Sequence, residues 1–396
     1  MSRTPEKEVC AAGFPVYLHG FSAIDSYLGR GASNTVHLLC GAGLADLARL
    51  FEGLRYPGAA LADAALDSSG RTWYFRCEDS PGDAGTPLPL HKIRASFSFL
   101  EFYRDCGTGY FHEPNGIYPL LRTLKAGTQT SETGSLWEPN PRADPCRVAM
   151  DGAMILARYF PETGTRKINA VAGDLPGCRS PGAEEQRMLL TELLNIPCPG
   201  PGFEFLKSCG FVAAYWPELA AMDDVDHSKE FHPEGNVWKH TMETLRYRKP
   251  SAGGGFDPRL SLGLLLHDIG KPLSQPPGGR GGQSRRPFDG HAELGEAQAG
   301  RFLARLGFEA PLIRDVCYLV RNHMLPAALP RLPLFRTGDK MESPLFPLLM
   351  ELYRCDESSS FKGLDGYYQS SAAYRSYLKH RRNPYRSEDG KKLKRK

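Results

Sequence analysis

The sequence lacks any long hydrophobic run. None of its apolar stretches approaches the roughly 20 residues that a membrane-spanning helix needs, so we expect no membrane partner. The first ten residues, MSRTPEKEVC, carry charges and lack the apolar segment of a secretory signal. These absences argue against an integral membrane protein and predict a cytoplasmic one.

Closely spaced cysteine pairs are also missing. The ten cysteines are scattered along the chain, and no two of them have CxxC spacing. Because such pairs mark zinc knuckles and small disulfide frameworks, the sequence favours neither class and is consistent with a reducing compartment. Proline and glycine are abundant instead, at 32 and 42 residues, so many loops are expected.

The length and the polar breaks predict several domains. With 396 residues, 41% of them hydrophobic, the chain has ample material for two or three cores. Turn-rich segments at 125–145, 172–183 and 273–288 are typical of linkers and loops. The predicted divisions are a head at 14–124, a linker at 125–143, a helical neck and body at 144–228, a C-terminal domain at 229–370 and a basic tail at 371–396.

Hydrophobic periodicity predicts an α+β fold. The head combines a helix at Leu44–Leu54 with short strand-like runs. These runs are Pro15–Leu18, Val36–Cys40, Thr72–Arg76 and Ala95–Phe102. Helical periodicity prevails from about residue 144 and returns at 257–270, 291–306, 311–323 and 345–358. An α/β head should therefore be followed by a helical neck and body and an all-α C-terminal domain.

The positive charge is concentrated at the C-terminal end. Residues 379–396 carry nine Lys and Arg against two acidic residues, whereas the whole chain has a net charge of +4. A basic segment of this kind attracts phosphate backbones. A solvated, disordered terminus is the equally plain interpretation.

The strongest chemical signal is LGLLLHDIGKP. Leu260, Leu264 and His267 follow helical spacing on one face, so His267 should point into the interior with Asp268 beside it. A buried carboxylate is costly unless a cation holds it. A divalent metal meets that need, since imidazole and carboxylate are its ligands.

Other helices place similar residues on their apolar faces. His240 follows Val237, and His323 follows Leu319 and Val320, at core-facing spacing. A single histidine in such a position is usually an ordinary core residue, but several of them with two aspartates are hard to explain independently. The sequence thus predicts that four residues converge on one metal position, with two histidines close enough to complete a second. The four are His240, His267, Asp268 and Asp356, and the two are His291 and His323.

The order H…HD…D of His240, His267–Asp268 and Asp356 resembles the signature of the HD-domain metal-dependent phosphohydrolases. Over about 230–365, the resemblance implies a helical bundle around the metal and hydrolysis of phosphate esters. His291 and His323 match extra histidines of members that hold two metals. One or two divalent ions are thus implied, and Mn, Ni, Co, Fe, Zn and Mg all remain open.

Further residues next to this signature are candidates for substrate contacts. Asp268 is a candidate catalytic residue, and Lys271 is placed to contact a substrate phosphate. An ordinary exposed lysine at a helix end is an equally open interpretation of Lys271. Arg321 and Asn322 lie beside His323 and are candidates for contacts to the metal ligands or the substrate.

Longer segments sharpen the resemblance. Four segments together resemble the HD domain fused to bacterial CCA-adding tRNA nucleotidyltransferases and poly(A) polymerases. They are HPEGNVWKHTMETL, LLLHDIGKP, FDGHAELG and VRNHM. DPCRVAMDGAMILARYF is similar to the segment after their catalytic head, and EEQRMLLTELLNI to their neck and body. The resemblance implies a nucleotidyltransferase-like head, an RNA-binding neck and body, and an HD domain.

The first part of the head departs from that pattern. HGFSAIDSYLGR resembles the family's GGxVRDxLLGR and keeps Gly20, Asp25 and Arg30, but Phe21 replaces the second glycine and Ile24 the arginine. The Phe21 side chain occupies a position where a glycine would let the backbone approach phosphates.

The metal-binding carboxylates of the head are missing as well. The family's D-x-D pair falls on Thr35 and His37, or on their neighbours in the adjacent register, and neither register supplies two carboxylates. Two Mg²⁺ ions need hard oxygen ligands. The sequence therefore predicts a nucleotidyltransferase fold with a degenerate active site.

Three functions follow from these observations. The first is a metal-dependent phosphohydrolase, acting on nucleotide or RNA phosphates and attached to an inactive head. The second is an active CCA-adding enzyme or poly(A) polymerase, and the third is a non-catalytic RNA-binding or regulatory protein. The full ligand set favours the first, with tRNA as a candidate partner.

Overall fold

A computed structural model describes ten ranges of the chain: 4–31, 33–58, 61–78, 86–127, 138–160, 179–226, 235–251, 254–274, 288–360 and 363–381. Contacts divide the chain into two compact units, Met1–Leu193 and Leu194–Lys396. Much of the predicted linker at 125–143, most of the 172–183 and 273–288 segments, and the basic tail beyond residue 381 lie outside these ranges.

A mixed six-stranded sheet organises the first unit. Its strands lie in the order β3-β4-β2-β1-β5-β6. They are β1 (Val16–His19), β2 (Thr35–Cys40), β3 (Ala64–Ser68), β4 (Arg71–Cys77), β5 (Tyr103–Asp105) and β6 (Phe111–His112). The pair β2 and β4 is parallel, and the other paired strands are antiparallel.

Six α-helices accompany the sheet within the described ranges of this unit. They are α1 (Pro5–Ala11), α2 (Phe21–Leu28), α3 (Leu44–Leu50), α4 (Tyr118–Ala126), α5 (Pro145–Tyr159) and α6 (Ala183–Leu194). Helix α5 begins at an N-cap: the carboxylate of Asp144 accepts a hydrogen bond from the amide of Cys146, and Pro145 occupies the first turn, where no amide donor is needed.

The two faces of the sheet differ in chemistry. Strand alternation directs Val16, Leu38 and Phe75 to one face, where they pack with residues of α1 and α3 as the main core. The other face carries His19 on β1 and His37 on β2, which lie opposite each other by the strand register. The polar face is therefore the one that can present side chains to a ligand.

Every regular element described in the second unit is helical. Its helices are α7 (Gly200–Ser208), α8 (Phe211–Tyr215), α9 (Pro217–Ala220), α10 (Val237–Thr244), α11 (Pro258–Leu266), α12 (Lys271–Ser274), α13 (His291–Arg305), α14 (Ala310–Asn322), α15 (Leu325–Ala328), α16 (Leu334–Met341), α17 (Phe346–Ser358) and α18 (Asp365–Arg381). Within the described ranges, no helix has the length and apolar character to cross a membrane.

Helix α11 lies at the centre of this unit. Asp257 caps its first turn by accepting a hydrogen bond from the amide of Arg259, and the residues from Leu260 to Leu266 are buried. Gly263 permits a close approach, since a methyl group built there would lie 3.0 Å from Leu319 on α14 and 3.2 Å from Leu352 on α17. The end of α11 is thus held between two other helices.

The predicted α+β class is confirmed, with the sheet in the first unit and helices in the second. The strands predicted at Pro15–Leu18, Val36–Cys40 and Thr72–Arg76 are present. The strand predicted at Ala95–Phe102 is wrong. Its phenylalanines are buried from an irregular segment with a 3₁₀ turn at Ser98–Leu100, so their apolar pattern reflects packing and not sheet pairing.

The predicted boundary between head and neck does not coincide with the observed division. Helices α5 and α6, which we assigned to a neck and body at 144–228, fall in the same compact unit as the sheet. The domain scheme predicted from the sequence therefore stays a prediction, and the two units are the divisions that the contacts support.

Candidate metal centre

Five separate helices position the six predicted metal ligands. His240 lies on α10 and Asp356 on α17, whereas the other four lie at helix ends. His267 and Asp268 directly follow α11, His291 begins α13, and His323 directly follows α14. The histidines and Asp268 are buried, and the Asp356 side chain retains 25% exposure.

The six side chains form two neighbouring groups. His240, His267 and Asp356 can each offer an atom within 4.8 Å of the others, and so can Asp268, His291 and His323. We expected Asp268 to share one point with His240 and Asp356, but the structure groups it with His291 and His323. The adjacent residues of the HD dipeptide thus belong to different groups.

Asp268 lies between the two groups. Its Oδ2 is 3.3 Å from Nε2 of His267, and its Oδ1 is 3.7 Å from Nε2 of His291 and 3.8 Å from Nε2 of His323. A carboxylate with one oxygen toward each group is suited to bridge two ions.

Three of the histidines are oriented in the same way. Nδ1 of His267, His291 and His323 lies 2.7 Å from the backbone carbonyl oxygen three residues earlier in each case. In the neutral ring, Nδ1 then carries the proton and donates a hydrogen bond to that carbonyl oxygen. This leaves a lone pair on Nε2. Backbone contacts of this kind fix the ring orientation at metal sites.

The free nitrogens point at one another. Nε2 of His291 and Nε2 of His323 are 3.0 Å apart, and Nε2 of His267 has no hydrogen-bond partner among the described residues. Two lone pairs at this distance repel each other unless a cation lies beside them. The donor set therefore fits a divalent metal, for which neutral imidazole and carboxylate are suitable ligands.

Burial and hydrogen bonding set the charge of three of the candidate ligands. Burial lowers the pKa of His291, and it lowers the pKa of His323 to about 4, so both rings are neutral near pH 7. Burial alone would raise the pKa of Asp356, but the 3.0 Å hydrogen bond from His240 holds it well below its usual value. Asp356 is thus a carboxylate.

Lys271 lies at the edge of the centre. Its Nζ donates a hydrogen bond of 2.6 Å to Oδ2 of Asp268, and it also lies 5.4 Å from the ring centroid of Phe288. Only 13% of its side chain is exposed. The alternative of an ordinary exposed lysine at a helix end does not fit this placement.

Arg321 and Asn322 have other contacts. Arg321 forms ion pairs with Glu293 and Glu296 on the neighbouring α13, and the amide of Asn322 donates to the carbonyl oxygen of Tyr318 within its own helix. The ion pairs of Arg321 connect α14 to α13. A direct substrate contact by either residue stays a prediction.

Sequence reasoning missed one polar neighbour of the centre. The hydroxyl of Ser359 lies 3.3 Å from Nδ1 of His240 and also donates to the carbonyl oxygen of Asp356. It thereby connects both ends of the His240–Asp356 pair. The available signal was the run of serines at 358–360, shortly after Asp356, which resembles an ordinary helix end.

The head residues that we expected in a degenerate site lie in two places. Gly20 caps α2 with a positive φ of 57°, next to the polar face of the sheet. Asp25 is buried, where it accepts a hydrogen bond from the hydroxyl of Tyr159 and forms an ion pair with Arg158. Arg30 lies over the Tyr159 ring and donates to the carbonyl oxygen of Arg158. Asp25 and Arg30 therefore stabilise α2 against α5.

Thr35 and His37 occupy the polar face of β2. The register pairs Thr35 with Thr72 and His37 with Tyr74 on β4. The His37 and Tyr74 rings stack at 5.2 Å, and His19 lies 5.9 Å from His37 on the other side. No carboxylate occupies this face of β1, β2 or β4, all of which the structure describes.

The chain is similar to a known domain family and to several known proteins. A model of the HD domain matches residues 237–356, which include all six ligands. A CC-adding tRNA nucleotidyltransferase of Thermus thermophilus is 33% identical over 147 residues, 36% of this chain and 32% of that protein. A multifunctional CCA protein of Halorhodospira halophila is 36% identical over 135 residues, 33% of this chain and 29% of that protein.

Other matches cover more of the chain. A bifunctional uridylyltransferase/uridylyl-removing enzyme of Mycobacterium tuberculosis is 28% identical over 286 residues, 70% of this chain and 30% of that protein. A solved CCA-adding enzyme of Bacillus stearothermophilus aligns with 95% of this chain and 81% of its own, at 14% identity and a TM-score of 0.48.

The matches to the curated relatives each span about a third of the relative's own length or less. Over 237–356, this chain matches the HD-domain model, and that range includes all six candidate ligands. The chain therefore contains a C-terminal HD domain with candidate metal-binding groups, and it is a homologue of proteins named CC-adding tRNA nucleotidyltransferase and multifunctional CCA protein.

Proposed function

We propose that this protein is a metal-dependent phosphohydrolase that acts through its HD domain. The observation that carries the proposal is the convergence of unprotonated Nε2 atoms, with those of His291 and His323 only 3.0 Å apart. Two groups of residues would hold metal. One is His240, His267 and Asp356, and the other is Asp268, His291 and His323. When bound, the metal would polarise a phosphoryl oxygen and lower the pKa of water.

The protein's own residues contribute position and charge. Backbone carbonyl oxygens hold three imidazoles in one orientation, so little reorganisation is required when ligands bind. Lys271 Nζ lies 2.6 Å from Asp268 and offers an ammonium group to the negative charge of a phosphate ester. In the net reaction, an oxygen–phosphorus bond to water forms while the ester bond breaks, and the leaving oxygen receives a proton.

The proposed substrates are phosphate esters of nucleotides or RNA ends, including 2′,3′-cyclic phosphates. The names of the curated relatives support this class, because they refer to tRNA nucleotides and to removal of a uridylyl group. Removal of a uridylyl group breaks a bond to phosphorus, which is the chemistry that we assign to this centre.

We further propose that the head has no nucleotidyltransferase activity. The polar face of the central strands presents Thr35, His37 and Arg76, where two Mg²⁺ ions would need carboxylates. Nucleotidyl transfer is the second candidate function, and the names of two relatives favour it. The missing carboxylates weigh against it.

The test uses the purified full-length chain, stripped with a chelator and reloaded separately with Mn²⁺, Ni²⁺, Co²⁺, Fe²⁺, Zn²⁺ or Mg²⁺. Bis-p-nitrophenyl phosphate, p-nitrophenyl phosphate and 2′,3′-cyclic AMP serve as substrates. We expect hydrolysis with at least one metal, its loss in Asp268→Asn, and its retention in Asp339→Asn, a control at an exposed position of the same unit.

Absence of hydrolysis with every metal and substrate would overturn the proposal and favour a binding protein. In parallel, the chain is incubated with Mg²⁺, labelled CTP or ATP, and tRNA that lacks its CCA end. No incorporation is expected, and robust incorporation would make nucleotidyl transfer the first candidate.

A further inference from the structure

A large cavity borders the polar face of the sheet in the first unit. Its volume is about 1210 Å³, above the roughly 300–1,000 Å³ of typical small-molecule sites. The sheet contributes His19, His37 and Arg76, and the beginnings of α2 and α5 contribute Gly20 and Arg147. None of these groups belongs to the HD centre, so this cavity is a separate candidate site.

The histidines on the cavity wall have unused hydrogen-bonding capacity. Their rings lie 5.9 Å apart in adjacent strands, and their ring nitrogens form no hydrogen bond to a described residue. Burial, with the positive charges of Arg76 and Arg147, lowers the pKa of His19 to about 3. Each neutral ring therefore has one N–H group to donate.

Most of the acidic groups around the cavity already have partners. Asp151 forms an ion pair with Arg147 and accepts a hydrogen bond from Ser96. Asp144 forms an ion pair with Arg179, and Glu101 forms one with Arg94. These carboxylates are neutralised and are not free to hold a metal. Glu78 and Glu138 also line the cavity.

Arg76 is different. It donates one hydrogen bond to the carbonyl oxygen of Leu61, and it forms no ion pair within the part of the chain that the structure describes. It lies two residues beyond Tyr74 on β4, and therefore on the same face of the sheet as His37. An unpaired guanidinium beside two neutral imidazoles disfavours a cation and favours an anion.

We propose that this cavity binds a phosphorylated small molecule directly, through Arg76, His19 and His37, without a metal ion. The planar guanidinium can contact two phosphate oxygens at once, and the imidazoles can donate to the remaining ones. The first turn of α2 begins at the cavity with Gly20 and Phe21, and its amide groups add positive potential. The rest of the cavity has room for the body of the ligand.

The proposal goes beyond the phosphohydrolase function and does not depend on it. The test measures binding of inorganic pyrophosphate to the full-length chain by calorimetry, in the presence of EDTA. We expect saturable binding, a loss of at least tenfold in affinity for Arg76→Gln, and partial recovery in Arg76→Lys. Arg71→Gln, an exposed position on the same strand, is the matched control and should bind as the wild type does.

Three further arms identify the ligand and the site. Asp268→Asn should bind pyrophosphate unchanged, which separates this site from the HD centre. Citrate and an RNA oligonucleotide without terminal phosphates should bind at least tenfold more weakly than pyrophosphate. Binding that requires Mg²⁺, equal affinity for citrate or the RNA, or wild-type affinity in a folded Arg76→Gln variant would each overturn the proposal. Circular dichroism establishes that the variants are folded.

Discussion

At the scale of single residues, the orientation of the imidazoles decides the chemistry of the HD domain. A histidine whose Nδ1 donates to a carbonyl oxygen three residues earlier has its Nε2 lone pair directed away from its own backbone. His267, His291 and His323 all adopt this arrangement, although they lie on different helices. The same local contact, repeated three times, orients one donor nitrogen in the group of His240 and Asp356 and two in the group of Asp268.

Lys271 permits a sharp test at this scale. We expect Lys271→Met to lower kcat/KM for phosphodiester hydrolysis by about tenfold or more, because a charge-assisted contact contributes about 1.5–3 kcal/mol. Lys271→Arg should retain part of the activity, since it keeps the positive charge. Steady-state kinetics with the best metal of the screen provides the measurement.

Lys340→Met is the matched control for this substitution, because Lys340 is an exposed lysine of the same unit. Wild-type kinetics in a folded Lys271→Met variant would contradict a role for Lys271 in substrate binding. It would leave the 2.6 Å contact with Asp268 as a purely structural ion pair.

At the scale of elements, the centre depends on how closely α13 approaches the segment after α11. A methyl group built on Gly270 would lie 2.0 Å from the carbonyl oxygen of His291 and 2.5 Å from the amide nitrogen of Gly295. Both are backbone atoms, which cannot rotate away. Gly270 is therefore needed to let the first turn of α13, with His291, reach Asp268.

Gly270→Ala tests this contact. We expect it to lower the free energy of unfolding by about 1–3 kcal/mol or more, since overpacking displaces backbone, and to weaken metal binding by moving His291. Urea denaturation and metal titration provide the measurements. Gly300→Ala on α13 is the control, because a methyl group at that position would meet only Cys317 Sγ, at 3.4 Å. Equal stability of the two variants would rule out the steric argument.

At the scale of the whole molecule, both units bury histidines that are neutral in the native state. Burial lowers the pKa of His19 to about 3 and that of His323 to about 4, whereas an unfolded histidine titrates near pH 6.5. Between these values the unfolded chain binds more protons than the native one. The stabilisation is thus fully present above pH 6.5 and decreases as the pH falls toward 4.

Acid should accordingly destabilise the metal-free protein. We expect the urea midpoint in EDTA to be lower at pH 5 than at pH 7, and the difference to shrink in His323→Gln, because a glutamine at this position does not titrate. Far-ultraviolet circular dichroism follows the transition. Equal midpoints at the two pH values in the wild type would contradict a buried, neutral His323.

The sequence by itself determined the α+β class and most helices of the second unit. It also indicated six candidate ligands, because helical periodicity places His240, His267 and His323 on buried faces. It did not determine how the ligands are grouped. Asp268 and His267 are adjacent in the chain but belong to different groups, since the backbone turns between them at the end of α11.

The cavity in the head was decided by tertiary structure alone. Alternation along β1, β2 and β4 predicts which side chains share a face, but only the strand order places His19 beside His37 and only the packing pairs Asp151 with Arg147. Strand pairing and ion pairs connect residues far apart in the chain, and the free energy of those contacts has no counterpart in local sequence pattern. Which charges remain unpaired, and hence what the cavity can bind, therefore follows from the fold.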